Sequence, residues 1–223
     1  MVVDSFSTDE TLEIVKKCPQ ARVIQRKFDT FARQCNFGLQ QITSEWVLSL
    51  DADYVLSDEL NRELAQLRPN GDVAGYCAKF TYCIKGQPLR ASLYPPRTVL
   101  YKKERATYRD EGHGHRVQVQ GTVRALNSRI LHDDRKPLDR WLQEQSRYAR
   151  IEAEHLLNTP SAELNLADRL RRKIVLAPFL VFFYTLIFKG LILDGRPGWY
   201  YVFQRTIAEM LLSLKLIEQK LQN

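Results

Sequence analysis

Cysteine is sparse and unpatterned in this chain. Cys18, Cys35, Cys77 and Cys83 form no Cys-x-x-Cys pair and stand beside no histidine-rich tract, so a zinc module or a thiol redox motif is excluded. Cys77 and Cys83 lie close enough in sequence to share one strand face, where a disulfide is sterically unfavourable. The reading is of reduced, mostly buried thiols, as in a cytosolic protein. Internal repeats and low-complexity tracts are missing. Long apolar runs are missing too: Ile174 to Phe188 carries no charge, but it contains Pro178, is interrupted by Lys189, and is shorter than a typical spanning helix. No nucleic-acid motif accompanies the positive charge, so nucleic acid is not expected as a partner. What is present is the composition of a globular chain, 44% hydrophobic and 26% charged, with a net charge of +7. That excess suits an anionic partner, such as a phosphorylated substrate or an anionic membrane face.

The stretch with the most chemistry is Trp46-Val47-Leu48-Ser49-Leu50-Asp51-Ala52-Asp53. A short, mostly apolar run ends in two carboxylates. It reads as a strand of a parallel sheet, buried on both faces, with the acids at its carboxyl end, where open α/β sheets bind ligands. If the chain stays extended, Asp51 and Asp53 project to one side. Their repulsion is relieved by a hard divalent cation, Mg²⁺ or Mn²⁺. A solvated acidic turn that merely ends a strand is the other reading.

Around that stretch the pattern alternates. Val2 and Val3 end a strand, and Asp4 to Ser7 turn. Ser7 and Glu10 have capping-box spacing ahead of a helix over Thr11 to Lys17. Ala21 to Gln25 is a strand, Thr30 to Ile42 a helix, and Ser57 caps a helix to about Leu67. Alternation of this kind predicts a parallel sheet with helices on its faces. Ala74 to Lys85 and Arg97 to Lys102 read as a strand pair joined through the Pro88 to Pro96 loop. Tyr108 to His115, which includes His113, reads as a loop or the start of a strand. His132-Asp133-Asp134 reads as a surface turn. From Leu138 the pattern is helical. A basic cluster, Arg169 to Lys173, precedes the apolar run. A turn over Asp194 to Gly198 follows it. The last helix carries Tyr200, Phe203, Ile207, Met210, Leu211, Leu214 and Ile217 on one stripe. The expected division is a catalytic unit over 1–135 and a helical, membrane-associating region over 136–223.

Several of these features together resemble one family. Val3-Asp4-Ser5-Phe6-Ser7-Thr8-Asp9-Glu10-Thr11 is similar to the Val-Asp-Ser-x-Ser-x-Asp-x-Thr motif of family-two inverting glycosyltransferases. Trp46 to Asp53 resembles their Asp-x-Asp strand, and Phe31 to Phe37 the helix between the two motifs. Asp194 to Gly198 resembles the late Asp-Gly-x-x-Gly turn of the subgroup that adds glucose or heptose to the lipopolysaccharide inner core.

The resemblance implies a GT-A fold, a mostly parallel sheet with helices on both faces, with a carboxyl-terminal helical extension. It also implies a UDP-sugar donor and a lipid-linked or lipopolysaccharide-core saccharide acceptor, at the cytoplasmic face of the inner membrane. On the donor side it implies nucleotide contacts from Asp4, Ser5, Ser7, Arg33, Asn36, Asp51 and Asp53, with the metal on Asp53 and Asp51. For the base that deprotonates the acceptor it implies an acid in the acceptor-side loop, Asp110 first and Glu111 second. His115 matches a Val-His-Glu motif in part, since Arg116 stands where Glu is expected. Cys35 stands where a basic residue is usual, a role that falls to Arg33. The resemblance further implies that the family's first β-α unit, a central strand, is missing ahead of Val2. A catalytically impaired homologue that acts as a membrane-surface interaction protein is the alternative function.

Overall fold

The computed structural model describes residues 1–111 and 114–222, with Glu111 and Gly114 described by backbone alone. In chain order the elements are β1 (Val2–Asp4), α1 (Thr11–Lys16), β2 (Val23–Gln25), α2 (Phe31–Gln40), β3 (Trp46–Leu48), β4 (Tyr54–Leu56), α3 (Asp58–Gln66), β5 (Val73–Ile84), β6 (Gln87–Pro88), β7 (Arg97–Lys102), β8 (Ala106–Glu111), β9 (Gly114–Val119) and β10 (Thr122–Asp133). Helices α4 (Leu138–Asn158), α5 (Leu166–Arg171), α6 (Leu176–Phe183) and α7 (Gly195–Gln222) follow. A π-helical turn over Tyr184–Phe188 and a 3₁₀ turn over Leu191–Asp194 lie between the last two.

The main sheet runs in the order β3-β7-β5-β10-β4, with β6 beside β5. It is mixed rather than mostly parallel: of its described pairings only β5 with β10 is parallel, and the others are antiparallel. The expected parallel pairing in the amino-terminal part is confined to β1 and β2, which form a separate two-stranded sheet. Strand β3 is therefore an edge of the main sheet, antiparallel to β7, and Leu48 on it is exposed. Its expected burial on both faces fails because no described strand covers its outer edge. Helix α2 spans the two sheets: Gly38 packs against Val3, while Ala32 and Leu39 share a cluster with Val47, Tyr101 and Tyr108.

The core of the main sheet gathers Leu60, Val73, Tyr76, Ala78, Phe80, Val99, Leu126 and Ile130. Leu60 comes from α3, which starts as its sequence predicts: the Ser57 hydroxyl accepts the Leu60 N–H at 3.2 Å. The long strand β10 has no counterpart in the sequence reading. It bulges near Leu126, and the bulge is satisfied from outside, because Glu63 of α3 accepts the Asn127 and Ser128 N–H groups at 2.8 Å each. Tyr108 to His115, read as a loop or the start of a strand, takes the second form over its described residues, which lie in β8 and β9 with Asp110 paired to His115. His113 lies outside the described residues.

The helical region packs on the sheet through Ile84, Leu89, Leu191, Tyr201 and Val202, and on itself through Ala153, Leu156, Leu212 and Leu216. The Asp194 to Gly198 stretch is the start of α7 rather than a free turn. Gly198 is required there, since a Cβ would sit 1.9 Å from the Leu191 carbonyl oxygen. Asp194 pairs with Arg90 at 2.7 Å and ties the helical region to the loop after β6. The predicted apolar stripe of the last helix points the other way from the core. Phe203, Met210 and Leu214 are exposed, and α7 buries Tyr201, Val202, Leu212 and Leu216 instead.

Candidate active site

Asp4 closes β1 and is buried. Both its carboxylate oxygens accept the Ser7 N–H, Oδ1 accepts the Ser7 hydroxyl, and Oδ2 accepts the Gln25 side-chain amide at 3.0 Å. The Ser7 hydroxyl, then Gln25, hold the carboxyl below its ordinary pKa. The turn that makes this possible puts Phe6 at φ 61°, in the left-handed region that a bulky residue avoids. Ser7 is thus spent on Asp4 and caps no helix; the expected capping box is absent. Helix α1 starts later, and Asp9 accepts the Thr11 N–H at 3.0 Å. Ser5 is tied to α2, accepting from the Gln34 amide at 3.0 Å.

Asn36 is engaged within the fold. Its amide donates to the Tyr108 carbonyl and accepts the Tyr108 N–H, both at 2.9 Å, and so pins α2 to β8. Tyr108 in turn donates to Ser49 at 2.8 Å, beyond the end of β3. Arg33 stays solvent-facing, 73% exposed, with only a 3.5 Å contact to Asp29, and is available to an incoming phosphate.

The two acids of the Asp-x-Asp motif part company. The chain turns at Ala52 and Asp53, with the Tyr54 N–H donating to the Asp51 carbonyl at 3.1 Å, so the extended geometry that would align them is lost. Asp51 remains exposed and faces the α2 side. Its charge, with that of Asp110, acts on both Cys35 and His115. Burial first, then those two acids, push the Cys35 thiol up to about 11, so it is a neutral group. His115 stacks on Phe31 at 5.2 Å and lies beside Tyr108. Burial lowers its pKa, and the carboxylates Asp51 and Asp110 only partly offset this. The Asp110 carboxylate accepts the Ala32 N–H in the first turn of α2 at 3.2 Å. Asp51, Asp110 and His115 are thereby brought to one place. The side chain of Glu111 lies outside the described residues.

Asp53 points to the other side of the motif, where its Oδ2 is 3.2 Å from His132 Nε2. Burial raises the Asp53 pKa, but the His132 hydrogen bond and charge, with Lys136, outweigh it and leave the carboxyl low. The reading of His132 as part of a surface turn is overturned. His132 is buried in β10, ringed by Tyr54, Tyr82 and Tyr94 at centroid distances of 4.4–5.3 Å. Asp53 Oδ1 is buried with no partner, a free carboxylate oxygen of the kind a hard cation takes. Asp51 and Asp53 both act on Tyr94, so the pair still borders one region. On these observations the residues fit a divalent metal shared with a substrate phosphate. Among the described residues no group of three or more His, Cys, Asp or Glu forms a complete protein cage.

Between these groups and the helices lies a cavity of about 870 Å³, lined by Asp51, Tyr94, Arg97, His115, Arg171 and Arg205 among others. Sequence reasoning missed His132, Tyr94, Arg97 and Arg205. Tyr94-Pro95-Pro96-Arg97 carried a signal, since two prolines in succession fix the loop that delivers the arginine.

A parallel strand pair ends in a buried acid, and an Asp-x-Asp turn stands beside a mixed sheet that borders a polar cavity, an arrangement that accords with a GT-A fold. Residues 1–133 match the model of glycosyl transferase family 2, and the chain belongs to that family. Over 116 residues it is 32% identical to an uncharacterized glycosyltransferase of Rickettsia conorii, covering 48% of this chain and 40% of that protein. Over 64 residues it is 39% identical to one of Rickettsia typhi, covering 29% and 22%. The match thus spans less than half the length of these relatives.

Proposed function

We propose that the chain is an inverting transferase that moves a sugar from a UDP-sugar to a lipid-linked or lipopolysaccharide-core saccharide, working at an anionic membrane surface. The observation that carries this reading is that Asp51 and His115 line the cavity, with Asp110 paired to His115 across β8 and β9 and Asp53 turned to the opposite side of the same motif. Asp4 accepts from the uracil ring, and Arg33 meets the diphosphate. Asp53 and Asp51 hold Mg²⁺ or Mn²⁺, which when bound neutralises charge on the departing diphosphate. Asp110, beside His115, takes the proton of the acceptor hydroxyl.

The membrane part rests on the helical region. Phe179, Phe188 and Leu193 are 62%, 83% and 70% exposed. Phe182 links the patch to α7, stacking on Phe203 and meeting Phe183 edge-on. Among the described residues no single helix is long and apolar enough to cross a membrane; the apolar segment and α7 together make a pair bent by 67°. The exposed apolar patch supports peripheral seating in the headgroup region, which this reading assigns to the cytoplasmic face of the inner membrane. Within the basic cluster, Arg171 is paired with Glu209 and Asp168, whereas Arg169 and Arg172 donate to the neutral Leu164 carbonyl and Ser161 hydroxyl and keep their charge for an anionic surface.

The test is UDP release from UDP-sugars with lipopolysaccharide-core acceptors, with and without Mn²⁺. Asp53→Asn should lower turnover about a thousandfold, ~4 kcal/mol, with an unchanged melting curve. Near-normal turnover of the variant would remove Asp53 from the chemistry.

A further inference from the structure

The wall of the cavity opposite Asp51 comes from α7. Tyr201 accepts the Leu93 N–H at 2.8 Å and meets Tyr82 edge-on at 5.0 Å, which fixes the helix against the loop before β7. Arg205 stands one helical turn further, on the same face, and lines the cavity. Its Nε is buried with no hydrogen-bond partner. Arg97 lines the same cavity from the start of β7. Its guanidinium lies 5.2 Å over the Tyr94 ring and donates through Nη1 to the His115 carbonyl at 3.4 Å, yet its Nε is also buried and unpartnered.

The third arginine of this wall behaves differently. Arg171 is matched by Glu209 at 2.9 Å and Asp168 at 3.0 Å. No carboxylate among the described residues pairs with Arg97 or Arg205. Buried polar atoms without partners are rare in folded proteins and call for a reason. Here four are found among the described residues: Asp53 Oδ1, His132 Nδ1, Arg97 Nε and Arg205 Nε. Asp53 Oδ1 and His132 Nδ1 belong to the metal side, and the two arginine donors suit an anion. A guanidinium presents a planar fork of N–H groups that matches the oxygens of a phosphate, and the aromatic walls of Tyr82 and Tyr94 keep water from screening it.

We infer that Arg97 and Arg205 form an anion subsite, distinct from the donor diphosphate position, that takes a phosphate group carried by the saccharide acceptor. The inference deepens the transferase reading and rests on it. It makes α7 part of the acceptor site as well as of the membrane-facing region, and it restricts acceptors to those that bear an anionic group near the reacting hydroxyl.

The experiment is calorimetric titration of the full chain with glucose 6-phosphate in the presence of saturating UDP and Mn²⁺. Wild type should bind the sugar phosphate and not glucose. Arg205→Gln and Arg97→Gln should each weaken binding about tenfold or more, and Arg205→Lys should recover part of it. UDP affinity of Arg205→Gln should stay within about twofold of wild type, and its melting curve should be unchanged. A parallel arm measures sedimentation with phosphatidylglycerol vesicles, which Arg205→Gln should leave unaltered. Three results would overturn the inference: sugar phosphate and UDP competing for one site, equal sugar-phosphate affinity in wild type and both Arg205 variants, or a loss confined to vesicle binding, which would assign the arginine to lipid headgroups. A separate titration with UDP and Mn²⁺ reports on the donor reading, so loss of the anion subsite with intact UDP binding condemns the subsite alone.

Discussion

The sheet half and the helical half of this molecule solve burial in opposite ways. In the sheet half the core is apolar, and its buried or bonded polar groups answer backbone: Asp4 takes the Ser7 N–H, Asn36 both groups of Tyr108, and Glu63 the bulge of β10. The helical half buries charge and exposes large apolar side chains. Glu209 is 5% exposed at its side chain and Arg171 30%, while Phe188 is left 83% exposed. A helix satisfies its own backbone, so its side chains are free to choose the medium they face; a strand bulge or a hairpin junction is not. The difference shows that the helices are built for two environments, an internal ion network against α4 and α5 and an apolar exterior beyond α6.

That contrast can be broken first at the ion network. Glu209→Ala leaves Arg171 half-buried with Asp168 as its only carboxylate among those it now bonds. We expect a loss of about 3 kcal/mol, the low end for breaking a buried pair because the Asp168 bond survives. Urea unfolding measures it, and an unchanged midpoint would mean the network contributes nothing to the helical half.

Next in size is the exterior. Phe183→Asp with Phe188→Asp should move stability by no more than ~0.5 kcal/mol per site, since both side chains already face solvent. The same pair should lower affinity for anionic vesicles at least tenfold, as each buried aromatic is worth ~1.5–3 kcal/mol in an apolar medium. Retained vesicle binding, read by co-sedimentation, would show that some other surface meets the membrane.

The smallest effect concerns the sheet half. Burial depresses the His115 pKa in the folded state, so near neutrality the unfolded chain binds more protons at this position. Its contribution is therefore complete above the ordinary histidine value and declines as pH falls through about 6.5 towards the folded pKa. Comparing urea midpoints at neutral and mildly acidic pH, His115→Gln should lose less stability on acidification than wild type. An identical decline in both would place the titrating group elsewhere.

Local pattern settled much of this molecule. The Ser57 cap, helices α2 and α3, the strand over Val73–Ile84 and its antiparallel partner were all legible, because capping oxygens and side-chain periodicity act over a few residues. So was the Asp4 turn as a feature of interest, though not its internal wiring. The family motifs marked Asp51 and Asp53 without revealing that the chain turns between them. Only tertiary structure decided that Asp53 turns to His132 while Asp51 turns to Cys35 and His115, and that Asn36 braces a hairpin. The same holds for Arg97, on a strand, and Arg205, on the last helix, which meet in one cavity although 108 positions separate their neighbours Leu93 and Tyr201. Pairings of that sequence separation leave no periodic trace. They arise when strand order and helix docking bring distant side chains together, and neither the direction of β3 nor the exposed face of α7 could be read from hydrophobic pattern alone, which records which residues are apolar and not what medium they meet.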